Sequence, residues 1–169
     1  GGGGGGGGRA PPPPPPPMAA LMHQEGKAIG AALGAEQYAL GRDAGLEALL
    51  RHTDRAMAAG PRSAALLFDA ICAVDSMFRE CMLEASEESP PELVAAFAVW
   101  LARPSRTVLI TEDGSTRIYE ATCGVDQGCP GSPAAFAFGM RRALRRLWDL
   151  LPAGARMTLL AYLNDLTVV

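Results

Sequence analysis

The sequence has 169 residues, 49% of them hydrophobic, which is enough to bury one sizeable core but hardly two. Its 15 Lys and Arg against 18 Asp and Glu give a net charge of −3, which excludes a chain-wide attraction for nucleic acid and leaves only local contacts. No apolar run approaches the roughly 20 residues that span a bilayer, so we expect no membrane contact and a soluble, intracellular protein in the cytoplasm or nucleus.

The first 17 residues are a low-complexity segment of eight glycines, Arg9, Ala10 and seven prolines. They offer almost no side chain that can join a core, so backbone entropy should keep residues 1–17 disordered. The segment is typical of a linker or of translated low-complexity sequence, and a ligand for a proline-recognition domain is the alternative. We therefore place the folded domain at residues 18–169.

The four cysteines show no spacing typical of a metal site, and the two histidines lie far from them in the sequence. We also expect no signal peptide. We therefore expect free thiols in a reducing compartment and no zinc.

The first third of the domain predicts two helices and a strand. Apolar residues recur at helical spacing over residues 18–33 and 43–59. Residues 64–68 form a short, unbroken apolar run that ends at Asp69, which is typical of a strand buried on both faces.

The middle of the domain predicts two helices followed by a hairpin. Residues 76–86 and 91–101 have helical periodicity, and Pro91 suits a first helical turn. The β-branched runs 107–111 and 116–121 flank an Asp-Gly pair, which predicts a hairpin turn.

The last part of the domain predicts a long helix and a second hairpin. The helix begins at Ser132 as its N-cap, has Pro133 at its first position and ends near Leu150. Residues 157–162 and 166–169 then flank a short polar segment, which places acid or amide groups at the hairpin tip.

This order of elements predicts an α+β domain, with helices packed on one face of a mainly antiparallel sheet. Two strand ends then carry polar groups, at Asp69 and at Asn164-Asp165. Carboxylates on rigid strands suit a two-metal site, because Mg²⁺ prefers oxygen ligands and a pair of ions roughly 4 Å apart activates an attacking oxygen and stabilises a leaving one. An aspartate at a strand end is, however, more often a turn former or a helix cap.

Several stretches match the motifs of one family in order and spacing. Residues 127–136, Gln-Gly-Cys-Pro-Gly-Ser-Pro-Ala-Ala-Phe, resemble a QGCPLSPxLF motif that precedes a long helix. Residues 67–77 resemble a palm motif in which an aspartate follows an apolar strand, and residues 161–165 resemble a hairpin that carries two aspartates. Residues 37–41, with 45–47 after them, are similar to a QFGxG and G-x-E stretch. Over residues 28–169 the chain thus resembles the reverse transcriptases of non-LTR (LINE-type) retrotransposons.

The resemblance implies a polymerase palm that carries out RNA-directed DNA synthesis with two Mg²⁺ ions. Asp69 and Asp165 then correspond to metal ligands, and Asn164 replaces a third carboxylate. The partners implied are an RNA or DNA primer–template and deoxynucleoside triphosphates. As an alternative, Asn164-Asp165 is only a good turn pair, since both residues tolerate left-handed backbone conformations.

The resemblance also assigns residues around the nucleotide and template. These are Val74, Gln127, Gly128, Pro130 and Ser132. Val74 stands where the family has an aromatic ring that excludes ribonucleotides, which puts sugar selection in doubt. An ordinary Gly-Pro loop is the alternative for residues 127–130.

Two further positions depart from the family pattern. Gly131 replaces a leucine, which should loosen the loop by removing an apolar anchor. Cys72 replaces a common asparagine and so removes a hydrogen-bonding group.

Four arginines lie on the predicted helix 132–150 in two rows with i,i+4 spacing. We weigh two interpretations, a nucleic-acid contact and a solvated helix face, and favour the second. The residues are Arg141, Arg142, Arg145 and Arg146.

The resemblance includes no basic fingers segment before residue 28 and no thumb after the hairpin. We therefore expect a partial reverse transcriptase domain, with activity impaired by Asn164. One alternative is a non-catalytic module that reuses the palm to bind nucleic acid or another partner, and a further one is a piece of a longer protein.

Overall fold

A computed structural model describes residues 16–60, 63–151 and 157–169. The prediction of disorder for residues 1–15 lies outside these ranges. The first helix, α1, begins at Pro16, and the domain boundary at Met18 stays a prediction. Met18 is itself buried in the main core.

The elements confirm the predicted α+β class. The helices are α1 (Pro16–Leu33), α2 (Gly45–Ala58), α3 (Ala73–Ser76), α4 (Arg79–Ser86), α5 (Pro91–Leu101) and α6 (Ser132–Leu150). The strands are β1 (Leu66–Asp69), β2 (Ser105–Ile110), β3 (Thr116–Ala121), β4 (Leu159–Tyr162) and β5 (Asp165–Val168).

The predicted helix 76–86 is confirmed only from Arg79 onward, as α4, because Ser76 ends the short helix α3 and two extended residues follow it. Met77 and Phe78, between them, have extended backbone angles. Their backbone groups bond to a distant segment: the Met77 carbonyl accepts from the Gly124 N–H at 2.8 Å, and Phe78 forms a β-bridge with Cys123. This long-range pairing replaces the local helical bonds that periodicity predicts.

Two antiparallel sheets are present in the described part of the chain. Strands β1, β5 and β4 form one in the order β1-β5-β4, and β2 and β3 form a separate hairpin. In the first sheet Leu66 pairs with Val168 and Asp69 with Asp165. The register therefore sets the two aspartates side by side at one end of the sheet.

The main core lies among the helices. It is built from buried residues of α1, α4, α5 and α6, including Met82, Leu93, Phe97 and Phe138. The rings of Phe97 and Phe138 meet edge to face, with centroids 6.4 Å apart. Each of these side chains, when fully buried, contributes about 1.5–3 kcal/mol.

The three-stranded sheet packs against helices at β4. Leu144 of α6 packs with Leu159, whereas Leu49 of α2 packs with Leu160. Because successive strand residues point to opposite faces, helices contact both faces of β4 rather than the single face expected. The sheet is thus fixed between α2 and α6 at this strand.

The prediction that the first strand is buried on both faces is wrong. Leu66, Leu67 and Phe68 are 57%, 79% and 51% exposed. The physical reason is that β1 is the edge strand among the described residues and that its side chains join none of the buried core clusters. An unbroken apolar run does not distinguish a central strand from an exposed edge.

No helix among the described residues has the length and apolarity needed to cross a membrane. All four cysteines are free thiols, with Cys72 exposed and the others half-buried.

Candidate functional site

The polar residues predicted at two strand ends meet in the structure. Asp69 ends β1, and its register partner Asp165 begins β5. Between β4 and β5, the side-chain amide nitrogen of Asn164 donates a hydrogen bond to Asp69 Oδ1 at 2.9 Å. Both aspartates are exposed, and Asn164 is half-buried. The structure therefore brings Asp69 together with Asn164 and Asp165, which lie far from it along the chain.

The side chain of Gln37 accepts a hydrogen bond from the turn that carries Asn164. Leu163 has a left-handed backbone, with φ of 54°, which is unfavourable for a bulky residue. Its N–H donates to Gln37 Oε1 at 3.1 Å, and the same oxygen accepts from the Ala39 N–H at 3.0 Å. Gln37 is only 3% exposed, and its Nε2 has no hydrogen-bond partner among the described residues.

The segment of Gln37 is also joined to the sheet through its backbone. The Tyr38 N–H donates to the Ala161 carbonyl at 2.8 Å, and the Ala161 N–H donates to the Glu36 carbonyl at 2.7 Å. Gln37 lay inside a stretch matched to the family, but sequence reasoning gave it no role in the site. Only the tertiary fold brings it to the hairpin turn.

The residues after Asp69 form a tight connection to α3. Cys72 has φ of 51°, a left-handed conformation that asparagine tolerates better than cysteine. Val74 is half-buried against the main core, and its carbonyl accepts from the Val125 N–H at 3.3 Å. Its predicted role in sugar selection stays a prediction.

The predicted nucleotide-binding loop, residues 127–131, leads into α6. Gln127 is exposed, and Gly128 has φ of 89°, a conformation that favours glycine. The predicted N-cap is wrong, because Ser132 is the first residue of the helix and its Oγ donates to the Asp126 carbonyl at 2.6 Å. The Ser132 hydroxyl therefore closes the loop instead of accepting a helix N–H. Pro133 is therefore the second residue of the helix rather than the predicted first, and it still lies in the first turn.

The buried guanidinium of Arg79 fixes the start of this loop, a role that the sequence did not predict. Arg79 is buried and donates to the Gly124 carbonyl at 2.9 Å, the Arg103 carbonyl at 2.5 Å and Ser105 Oγ at 2.8 Å. Ser105 Oγ donates in turn to Asp126 at 3.3 Å. Arg79 thus ties the loop to β2. The sequence around Arg79 does not indicate this role.

The loop around Gly131 is packed rather than loose. Gly131 is buried, and a side chain there would begin 2.8 Å from Met18 Sδ and 3.3 Å from the Trp100 ring. Met18 of α1 therefore fills the space that a leucine side chain would need. Contacts from Met18 thus compensate for the apolar anchor that the replacement of leucine by Gly131 was expected to remove.

The arginines of α6 face carboxylates at the end of α4 and after it. Arg142 pairs with Glu84 at 2.8 Å, and Arg145 pairs with Glu88 at 3.1 Å. Arg141, mostly buried, lies 2.6 Å from the same Glu88. The hydrogen bond from Arg145 and the charge of Arg141 lower the pKa of Glu88.

Among the described residues, Arg146 has no such carboxylate within 4.0 Å. The local positive charge of the row is thus partly neutralised within the protein. A nucleic-acid contact by these four arginines stays a prediction.

The donor set at the sheet end does not fit a pair of divalent ions. Asp69 and Asp165 supply two carboxylates, and the Asn164 amide presents an N–H to Asp69, where a metal site needs an oxygen ligand. Within residues 16–60, 63–151 and 157–169, no group of three or more His, Cys, Asp or Glu is placed to hold a metal ion. The predicted magnesium pair therefore lacks its third carboxylate.

No protein-family model matches the sequence, and no curated protein sequence is significantly similar to it. The solved structure of telomerase from Candida albicans, in complex with a TWJ fragment of telomeric RNA, superimposes with a TM-score of 0.63 at 10% sequence identity. The match covers 90% of this chain and 30% of that chain. The chain has a polymerase palm-like fold.

At this identity the similarity establishes the fold alone. Within the fold, Asp69, Asn164 and Asp165 form one cluster at the sheet end. The loop of Gln127 and Gly128 lies at the entry to α6, and the arginine row lies farther along the same helix.

Proposed function

We propose that this chain is a reverse-transcriptase-like palm, of the non-LTR retrotransposon kind, in which template-directed nucleotidyl transfer is impaired. The observation that supports the proposal is the cluster of Asp69, Asn164 and Asp165 at one end of the β1-β5-β4 sheet. A palm-like fold and motifs in the family's order also favour it. Its substrates would be deoxynucleoside triphosphates on an RNA or DNA primer–template.

The impairment follows from the charge of the cluster. Bound magnesium ions would supply the electrostatic stabilisation on which nucleotidyl transfer depends. Asn164 carries no net charge, so the chain offers one carboxylate fewer than the family's three. Loss of one such electrostatic group typically lowers a rate on the order of 10²-fold.

Grafting tests this proposal directly. Residues 28–169 are placed between the fingers and thumb of an active relative, and primer extension is compared for Asn164, Asn164→Asp and Asn164→Ala. We expect the aspartate form to be about 100-fold faster than the others. Equal extension by Asn164 and Asn164→Asp would show that position 164 does not lie at the reaction centre.

A second candidate function is a non-catalytic module that binds nucleic acid. A groove lined by Arg42, Arg51 and Arg55 favours it, because these residues give a local positive surface on a chain of net charge −3. This candidate predicts binding to nucleic acid without gain of extension in Asn164→Asp. The grafting experiment and a binding assay together separate the two functions.

A further inference from the structure

A basic groove lies between α2 and the segment that precedes it, away from the aspartate cluster. It is an open groove with a volume of about 620 Å³, and it reaches Thr158, just before β4, whereas Asn164 and Asp165 lie beyond the other end of that strand. Its lining includes Tyr38, Arg42, Arg51, His52, Arg55 and Thr158. The arginines come from two separate segments of the chain.

The groove is built on a fixed aromatic floor. Tyr38 is buried, and its hydroxyl is hydrogen-bonded to His52 Nδ1 at 2.7 Å. The Arg42 guanidinium lies 4.4 Å from the centre of the Tyr38 ring, while one of its nitrogens donates to the Ala35 carbonyl at 2.8 Å. Arg42 is thereby held in place and keeps further N–H groups for a ligand.

The closeness of α2 to Tyr38 depends on Gly45. A β-carbon at Gly45 would lie only 1.9 Å from the Tyr38 carbonyl oxygen, so the helix begins directly against this backbone. Arg51 and Arg55 follow one turn apart on the same helix, and both are exposed. Residues with this i,i+4 spacing share a helix face, so both guanidinium groups are available to one extended anion.

The groove keeps more of its positive charge than the arginine row of α6. Among the described residues, no carboxylate lies within 4.0 Å of Arg42 or Arg55. Arg51 pairs with Glu47 of its own helix, and this pair is well exposed, so a ligand can compete for it. On α6, in contrast, Arg141, Arg142 and Arg145 are all paired with glutamates.

We infer that this groove, rather than the α6 arginine row, binds the phosphodiester backbone of nucleic acid. Arg42, Arg51 and Arg55 would contact successive phosphates, and His52 and Tyr38 would line the floor. Guanidinium groups suit phosphate oxygens because they donate two N–H bonds in parallel. The inference rests on the proposed nucleic-acid function and assigns a surface to it.

The test uses the full chain and a fluorescent single-stranded RNA of about 20 nucleotides. The groove variant is Arg51→Gln with Arg55→Gln, and the matched control is Arg142→Gln with Arg145→Gln. Both change the same number of exposed helix charges, and glutamine preserves helix propensity. We expect at least tenfold weaker binding for the groove variant and less than threefold for the control.

The salt dependence gives an independent readout. Two lost phosphate contacts should reduce the slope of log K against log salt by roughly 1.4 for a single strand. Arg51→Lys with Arg55→Lys keeps both charges and should retain most of the affinity, which separates charge loss from misfolding. A loss of affinity in this lysine variant equal to that in the glutamine variant would contradict the phosphate assignment.

Three other results would overturn the inference, and each has a different meaning for the proposed function. Loss of binding only in the α6 control would move the contact to that helix and leave the proposed function intact. Competition by inorganic tripolyphosphate at equal charge concentration would assign the groove to a free polyphosphate. No RNA binding by the unmodified chain would exclude the groove, while the grafting experiment with Asn164→Asp still tests the palm independently.

Discussion

The side-chain amide of Asn164 donates a hydrogen bond to the carboxylate of Asp69, at 2.9 Å, across the end of the β1-β5-β4 sheet. Asp165, the register partner of Asp69, is the neighbour of Asn164 in sequence. An uncharged donor is therefore bonded to one carboxylate of this pair. This arrangement gives one oxygen of Asp69 a partner without a cation, so position 164 is the one at which the proposed metal binding is best tested.

Asn164→Asp should make the stability of this cluster depend on a bound cation. The substitution removes the donor to Asp69 and sets three like charges together, so we expect the melting temperature to fall by about 2–4 °C without divalent ions. Millimolar Mg²⁺ or Mn²⁺ should restore it. The measurement is a thermal melt with and without the ion. Asn164→Ala is the control, since it loses the donor but should gain no ion response.

Gln37→Met should destabilise the hairpin turn that carries Asn164. Methionine has a similar length but no carbonyl oxygen, so the Ala39 and Leu163 N–H groups lose their acceptor. Each N–H group left unpaired should lower the free energy of unfolding by up to about 1–3 kcal/mol. Denaturant titration measures this loss.

Two comparisons make the Gln37 prediction specific. Gln24→Met, on the exposed surface of α1, should change stability little. In Gln37→Met, hydrogen exchange should accelerate most at Leu163. Uniform acceleration across the sheet would show that Gln37 supports the domain in general and not the turn.

Much of the fold could be predicted because local signals and tertiary structure agree. The helix 132–150 has its predicted bounds, since strong periodicity and Pro133 define it. The hairpin 116–121 strand also has its predicted bounds, because β-branched residues follow an Asp-Gly turn. The order of these elements then sufficed to place Asp69 and Asp165 at strand ends.

What could not be predicted depends on contacts between distant segments. The exposure of β1 depends on its edge position, which the apolar run does not show. The bond from Leu163 to Gln37 and the groove shared by Arg42 and Arg55 each join segments that sequence periodicity treats separately. Sequence periodicity therefore does not predict the groove, whereas it does group the arginines of α6, which lie on one helix.

Gly131→Leu should destabilise the chain, although leucine stands at this position in the motif that the sequence resembles. The new side chain would collide with Met18, whose Sδ lies 2.8 Å from the β-carbon position. Overpacking of this kind costs about 1–3 kcal/mol. Adding Met18→Ala should recover part of the loss, because it empties the space that leucine needs. Thermal melts of the two single variants and the double variant measure this coupling, and strictly additive effects would contradict it.

Arg79→Met should lower the free energy of unfolding by about 3 kcal/mol or more. We expect this loss to exceed that from replacing any other arginine in the described part of the chain. Its guanidinium satisfies the Gly124 and Arg103 carbonyls and Ser105 Oγ in a buried setting. Methionine keeps much of the apolar stem but leaves these acceptors unpaired. Arg106→Met, on the exposed hairpin, is the control and should be nearly neutral. A similar loss in both variants would contradict the clamp assigned to Arg79.

The turn between β2 and β3 should open at low pH in a manner that Asp113 controls. Hydrogen bonds from the Thr111 hydroxyl and the Ser115 backbone N–H lower the pKa of Asp113 to about 2, from an ordinary value of 3.8. Because the folded-state pKa is depressed, the stabilising effect is present above about pH 3.8 and is lost as the pH falls through about 2. NMR amide shifts of Thr111 and Ser115 should report the change. Asp113→Asn is the control, because it keeps an acceptor oxygen but cannot titrate. The difference between the pH profiles of the amide shifts in this variant and in the unmodified chain isolates Asp113 from the other carboxylates. Identical profiles of the two proteins between pH 4 and 2 would show that the turn does not depend on the Asp113 charge.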